Sequence, residues 1–152
     1  MTVLNYTTTI SAEKTIGEMQ RLLAQHGAAR VALDYENGHA VGLTFELATP
    51  HGQRTFSLPV DVDAMSRLLV ERSNAGKLRS GSKAQHHSRE QAERTAWRVM
   101  KDWLSAQLTL VSTRMASLDQ VMLPYLHVDG ERTLYAAYRQ QEQLLELEQR
   151  SS

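Results

Sequence analysis

The stretch from Val41 to Leu47 places the strongest constraint on how this chain can fold. Its large apolar residues occupy alternate positions: Val41, Leu43, Phe45 and Leu47. Because successive side chains of a strand point to opposite faces, this alternation predicts a β-strand with one buried face and with Thr44 and Glu46 on the other. The preceding Asn37-Gly38 pair suits the positive φ angles of a tight hairpin turn. We therefore expect an antiparallel hairpin at the centre of the fold.

Further strands are predicted around this one. Residues 31–35 alternate before the Asn37-Gly38 turn, and residues 56–58 follow a second turn at Pro50-His51-Gly52. Residues 3–10 also alternate and are rich in threonine, which favours strands. The sequence thus predicts an antiparallel sheet of four strands.

Apolar residues at helical spacing predict helices on both sides of these strands. Ser11, Asp61 and Ser88 each precede such a segment and are suited to cap it. Pro124 interrupts the chain after the third and longest helix, and a final helix begins near residue 134. The predicted fold class is α+β, in the order β-α-β-β-β-α. An antiparallel sheet is packed by helices and followed by a C-terminal helical hairpin.

The chain divides at a polar segment. Residues 73–88 are rich in glycine, serine and lysine, and Leu78 is their one large apolar residue. We expect them to form a flexible basic loop between residues 1–72, the α+β half, and residues 89–152, the C-terminal helices. With 152 residues and 41% hydrophobic content, both parts can share the core of a single domain.

The chain contains no cysteine, which excludes disulfides, thiolate catalysis and cysteine-based zinc sites. Residues 1–10 do not have the pattern of a signal peptide, and no apolar run is long enough to span a membrane. We therefore expect a cytoplasmic protein without a membrane partner.

Motifs for phosphate-loop, dinucleotide and serine-hydrolase chemistry are absent from the sequence. His86 and His87 are adjacent, so on a loop they should point apart and be solvated, and Asp61 and Asp63 fit the capped start of a helix. The other histidines are scattered: His26, His39, His51 and His127. We predict neither a metal site, nor a cofactor, nor catalytic residues.

Charge is balanced in sum but not in distribution. Seventeen basic residues match seventeen acidic ones, yet residues 72–89 contain five basic residues and no acid. On the following helix, Arg94, Arg98 and Lys101 share one stripe beside Trp97. Arginine offers forked donors to phosphate, and an aromatic ring can stack on a base. The candidate ligand-binding residues are Lys77, Arg79, Lys83, Arg94, Trp97, Arg98 and Lys101. In the alternative interpretation the arginines are solvated, and Trp97 and Trp103 belong to the core.

Several segments carry a resemblance to known sequences. They are Asn5-Tyr6-Thr7-Thr8-Thr9-Ile10, His26-Gly27-Ala28, Thr49-Pro50-His51-Gly52, Ala96-Trp97-Arg98, Lys101-Asp102-Trp103 and Leu123-Pro124-Tyr125. The chain resembles a group of small uncharacterised proteins encoded by phages and prophages, apart from the loop that follows Arg72 and the tail after Tyr138. The resemblance implies a phage setting, where small proteins often counter host defence or handle nucleotides and nucleic acid. It implies no particular binding or catalytic residue.

These observations lead to one leading hypothesis and two alternatives. The first is a non-enzymatic phage accessory protein in the host cytoplasm that binds an anionic ligand, either a nucleotide signal or nucleic acid. The second is an inhibitor that binds a host protein through apolar surface on the long helix and at Tyr135 and Tyr138. That surface could equally form a homodimer or higher oligomer. The third is an enzyme whose site is assembled from distant segments.

Overall fold

Three consecutive strands form an antiparallel sheet in the computed structural model, which describes residues 2–151. They are β1 (Arg30–Glu36), β2 (His39–Thr49) and β3 (Gly52–Pro59), paired in the order β1-β2-β3. Asn37 and Gly38 have φ angles of 52° and 79°, as the tight turn between β1 and β2 requires. The predicted hairpin and the mixed α+β fold are confirmed.

One face of this sheet is buried in the core. Leu43, Phe45 and Leu47 of β2 are at most 1% exposed, and Phe45 stacks on Phe56 of β3 with ring centroids 5.8 Å apart. At Gly42 a Cβ atom would lie 2.6 Å from the backbone oxygen of Leu58. Residue 42 therefore has to be glycine for β2 and β3 to approach this closely.

Helices pack against the buried face and against one another. They are α1 (Ala12–Gln25), α2 (Val62–Asn74), the short α3 (Lys83–His86), α4 (Arg89–Ser112) and the short α5 (Leu118–Met122). The side chains of Ser11, Asp61 and Ser88 accept backbone N–H bonds at the starts of α1, α2 and α4, so the three predicted caps are confirmed. Within residues 2–151, no helix has the length and apolar content needed to cross a membrane.

The long helix α4 is the centre of the core. It packs against both α1 and α2, and its Trp97, Leu104 and Leu108 are at most 1% exposed. Met19 of α1 and Leu69 of α2 are fully buried in the same cluster. Burial between two neighbouring helices explains why the apolar face of α4 is so broad.

The predicted N-terminal strand is wrong, and the sheet has three strands instead of four. The segment before α1 contains a turn in which Asn5 has a φ angle of 61°. Its carbonyl groups bond to α4, because the Gln91 side-chain amide donates to the Tyr6 oxygen at 2.8 Å and the Thr8 oxygen at 3.0 Å. These side-chain donors take the place of a strand partner.

The chain after α4 also differs from the prediction. It passes through a 3₁₀ turn (Leu123–Tyr125), two short paired strands, β4 (His127–Asp129) and β5 (Arg132–Thr133), and then α6 (Leu134–Ser151). A C-terminal helix is confirmed, but the predicted helical hairpin is wrong. The main contacts of α6 are with the 3₁₀ turn, β4 and β5. A bridge between Phe56 and Leu126 joins the chain between this turn and β4 to the sheet. None of the described residues of α6 is buried.

Residues 73–88 are more structured than the predicted loop. The helix α2 extends to Asn74, α3 lies within the segment, and both Leu78 and His86 are buried. The two ring nitrogens of His86 bond to the Ser73 hydroxyl at 2.9 Å and the Ser80 carbonyl at 2.7 Å. The expectation that His86 is solvated is therefore wrong, while the flexibility of the segment stays a prediction.

Candidate functional site

Arg94, the first cation of the predicted stripe on α4, is bound by its own helix. One guanidinium N–H donates to the Glu90 carboxylate at 2.7 Å, and two others donate to the Gln91 side-chain oxygen at 2.8 and 3.2 Å. The side chain is 22% exposed. A ligand at Arg94 would have to compete with an acid that is already in place.

The other two cations of the stripe also lie beside acids. Arg98 donates to the Glu18 carboxylate of α1, and this pair is largely covered, with side chains 17% and 24% exposed. The ammonium nitrogen of Lys101 lies 3.9 Å from a carboxylate oxygen of Asp102. The stripe is therefore neutralised by neighbouring residues, which sequence spacing alone did not indicate.

Trp97 is 1% exposed and belongs to the core. Its ring cannot stack on a bound base, so its assignment as a ligand-binding residue is wrong and the alternative that places Trp97 in the core is confirmed. The same alternative expected solvated arginines, and this part is wrong, because Arg94 and Arg98 are largely covered and paired with acids. Trp103 is partly buried against the same core and contacts the Tyr125 ring edge-on, with centroids 5.6 Å apart.

The basic segment between α2 and α4 presents a different arrangement. Lys77 and Arg79 line a surface cleft of about 460 Å³ together with Thr2, Tyr6 and Gly76. Within residues 2–151, neither cation forms an ion pair with a carboxylate. The wall of this cleft therefore carries two cations whose charge is not neutralised by a neighbouring acid in the described chain.

Tyr6 adds a neutral donor to this cleft. Its hydroxyl oxygen accepts the backbone N–H of Ser80 at 3.2 Å. The hydroxyl proton remains available for a second acceptor. Lys77, Arg79 and Tyr6 together offer the donor set that phosphate or carboxylate oxygens require.

The local fold explains why these side chains face solvent. Gly76, with a φ angle of 70°, follows the end of α2, and the Lys77 N–H bonds back to the Arg72 carbonyl at 2.9 Å. Leu78 is buried, while Lys77 and Arg79 on either side of it are exposed. A single apolar side chain thus fixes the backbone and leaves both cations at the surface.

The structure separates residues that the sequence interpretation had grouped. The wall of the cleft contains Lys77 and Arg79 but none of the three α4 cations. Lys83 is exposed at the start of α3 and does not line the cleft. The site therefore keeps only Lys77 and Arg79 of the predicted cations and combines them with Thr2 and Tyr6 from the segment before α1.

Arg89, the last cation of the basic run, is paired across elements. It donates to the Asp63 carboxylate at the start of α2. This hydrogen bond, assisted by the positive charge of Arg89, lowers the pKa of Asp63 below its usual value. Arg89 therefore fastens α4 to α2 and is not free for a ligand.

A polar chain on the other face of the sheet was not predicted. The Thr44 hydroxyl donates to the Asp34 carboxylate at 2.7 Å and also bonds to the Ser57 hydroxyl at 2.9 Å. Ser57 in turn lies 2.6 Å from Nε2 of His127 on β4. The sequence shows these residues only as outward positions of three strands and one scattered histidine, because Ser57 and His127 are 70 positions apart.

A serine hydroxyl bonded to a histidine ring is also the arrangement of a nucleophile and its base. Here Ser57 lies within β3 and shares its hydroxyl with Thr44. Within residues 2–151, no carboxylate bonds to the second ring nitrogen of His127 to orient it. We interpret this series of hydrogen bonds, from Asp34 to His127, as a structural link that holds β4 against the sheet.

No metal site is evident in the described residues, since no three histidine, aspartate or glutamate side chains converge there. Compared with protein-family models, curated proteins and solved structures, the chain shows no significant match. The functional interpretation therefore rests on the geometry of the chain itself.

Proposed function

We propose that this chain is a non-enzymatic phage accessory protein that binds a phosphate-bearing ligand in the cleft formed by Lys77, Arg79 and Tyr6. The ligand is a nucleotide signal or a nucleic-acid strand, which share the phosphate chemistry that this donor set recognises. The phage setting and the host cytoplasm come from the resemblance of segments such as Asn5–Ile10 and are part of the proposal.

The observation that carries this proposal is the contrast between the two groups of cations. Arg94 and Arg98 are bound by Glu90 and Glu18, so a ligand there would have to displace an acid. A ligand at Lys77 and Arg79 would displace no carboxylate of the described chain. A cleft of about 460 Å³ is also within the range of sites that hold small organic ligands.

The test is a binding titration with ATP, a cyclic dinucleotide and a single-stranded oligonucleotide, each at low and at high salt. We expect the Lys77→Ala/Arg79→Ala variant to lose at least about tenfold in affinity, since two charge-assisted contacts are removed. The matched control is Lys14→Ala/Arg21→Ala, which removes the same charge from exposed positions of α1 and should bind normally.

The salt dependence distinguishes the two kinds of ligand. Oligonucleotide binding should weaken steeply as salt rises, because counterions are released from the strand, whereas binding of a small nucleotide should weaken much less. Equal affinity of the wild type and the Lys77/Arg79 variant for all three ligands would contradict the proposal. An equal loss of affinity in the α1 control would show that the effect comes from net charge alone, and this result would also contradict the proposal.

The alternative of a host-protein inhibitor rests on the apolar surface at Tyr135 and Tyr138, both on α6, and no longer on the long helix α4. The apolar face of α4 is covered by its neighbours, whereas Tyr138, Leu144 and Leu145 of α6 are exposed. Of the two apolar surfaces named for such an inhibitor, the one on α6 is therefore the exposed one.

A further inference from the structure

The helix α6 carries an apolar stripe that is half-buried at its start, at Leu134 and Ala137, and exposed from Tyr138 onward. Its apolar members recur at helical spacing: Leu134, Ala137, Tyr138, Leu144 and Leu145. Gln141 and Glu148 fall within the same arc of the helix. Tyr138, Leu144 and Leu145 are 57%, 49% and 41% exposed. Most helical stability in proteins comes from packing of such a face, so an 18-residue helix of this kind is expected to pack against a partner.

The stripe continues into an apolar groove at the base of the helix. Leu123 and Pro124 of the 3₁₀ turn line this groove together with Leu134, Tyr135 and Tyr138, and its volume is about 330 Å³. The groove and the stripe form one apolar surface along α6. We refer to this surface as the α6 surface.

The charges beside the stripe lie on one flank. At 100° per residue, Arg139, Glu142 and Glu146 fall within an arc of roughly 60° next to Tyr138. The opposite flank carries the uncharged residues Gln140 and Leu147. Between residues 139 and 146 the cation comes first and the two acids follow, so this part of the flank is polarised. A second cation, Arg150, follows on the same flank near the C-terminal end of the helix.

This polarity specifies which helix can cover the stripe. When two identical helices pack antiparallel, the same flanks meet and run in opposite directions. Arg139 of one copy then lies beside Glu142 and Glu146 of the other. The register that brings these charges together is centred between residues 141 and 142, and it also sets Tyr138 opposite Leu145. Parallel packing would place the charged flank against the uncharged one.

We propose that the α6 surface is the interface of a two-fold homodimer in which α6 packs antiparallel against α6 of a second copy. The apolar stripe supplies the buried area, and the reciprocal pairs of Arg139 with Glu142 and Glu146 set the orientation. The proposal does not depend on ligand binding at Lys77 and Arg79, which lie outside α6.

The experiment is sedimentation or light scattering of the full chain from about 1 to about 200 µM, because dimerisation follows mass action. We expect the wild type to dimerise within this range. Arg139→Glu alone, or Glu142→Arg/Glu146→Arg alone, places like charges opposite each other and should raise the dissociation constant at least about tenfold.

Two arrangements should restore association. The triple variant with all three charges reversed is again complementary to itself and should dimerise. An equimolar mixture of Arg139→Glu with Glu142→Arg/Glu146→Arg should form a heterodimer, since one helix is then acidic and the other basic. Arg21→Glu on α1 is the control and should dimerise like the wild type, and circular dichroism should show that every variant is folded.

A wild type that stays monomeric at the highest concentration would overturn the proposal, and the α6 surface would then be left for a different protein. Dimers that persist in both like-charge variants would overturn the antiparallel arrangement. Failure of the triple variant to dimerise would also overturn the antiparallel arrangement. Titration of the monomeric variants with the ligands named above tests the phosphate-binding cleft separately, because these variants keep Lys77 and Arg79.

Discussion

The two long helices of this chain have a similar pattern of apolar residues but different surroundings, since α4 is buried in the core and α6 lies at the surface. Both α4, with 24 residues, and α6, with 18, carry aromatic and leucine residues at helical spacing. Trp97 of α4 is 1% exposed, whereas Tyr138 of α6 is 57% exposed. The difference shows that an apolar face indicates only that a helix requires a partner. Where the partner comes from is decided by the rest of the fold.

The charged residues of the two helices repeat this contrast. Arg98 of α4 bonds to Glu18 on α1, and Arg89 bonds to Asp63 on α2, so the cations of α4 connect it to its neighbours. Arg139 of α6 donates to the Tyr135 hydroxyl one turn earlier, at 3.4 Å. Contacts within the same helix leave the charges of α6 at the surface, where a second molecule can approach them.

The largest expected effect comes from removing one aromatic side chain from each helix. Trp97→Ala should lower the free energy of unfolding by about 3–5 kcal/mol, because it leaves a cavity in the core. Tyr138→Ala should change it by less than about 1 kcal/mol when the chain is monomeric. Urea unfolding at low protein concentration measures both. Similar losses in the two variants would show that the contrast between α4 and α6 is false.

A second comparison concerns the amide side chains of the two helices. Gln91→Ala should cost about 1–3 kcal/mol, because the carbonyl groups of Tyr6 and Thr8 lose their donor. Gln143→Ala on the exposed surface of α6 should stay within about 0.5 kcal/mol of the wild type. Urea unfolding again gives the values, and a Gln91 variant as stable as the Gln143 variant would mean that the segment before α1 is held by other contacts.

The smallest expected effect is the pH dependence of the connection between α4 and α2. The Arg89 guanidinium lowers the pKa of Asp63 below its ordinary value of 3.8. A carboxyl group with a lowered folded-state pKa stabilises the fold above the unfolded value, and this stabilisation is lost as pH falls through the folded value. NMR titration of the Asp63 carboxyl should show the lowered pKa, and Arg89→Met should return it toward 3.8. An unchanged midpoint in that variant would exclude Arg89 as the cause.

Local patterns were sufficient for β1, β2 and β3 and for the starts of α1, α2 and α4. The alternation in β2, the Asn37-Gly38 turn and the caps at Ser11, Asp61 and Ser88 depend on neighbouring residues, and all are present in the structure. The segment before α1 alternates in the same way but forms no strand. Its conformation is decided by Gln91, which no local pattern connects to it.

The candidate site shows the same limit. Spacing placed Arg94 and Arg98 on one stripe correctly, but it could not show that Glu18 lies opposite Arg98. The pairing needs α1 to pack against α4, which is a tertiary contact. Lys77 and Arg79 could be chosen from composition, since the run that contains them has no acid, whereas Tyr6 joins them only through the fold.

The bond between Gln91 and Tyr6 also bears on the order in which the molecule can be assembled during synthesis. These residues are 85 positions apart, whereas β1, β2 and β3 are joined by short turns. Contacts between close neighbours in sequence can form early, and distant ones must wait until both members have left the ribosome. The segment before α1 is made first, yet its docking site on α4 is made more than half a chain later. The segment before α1 is therefore among the last parts of the chain to dock on the core.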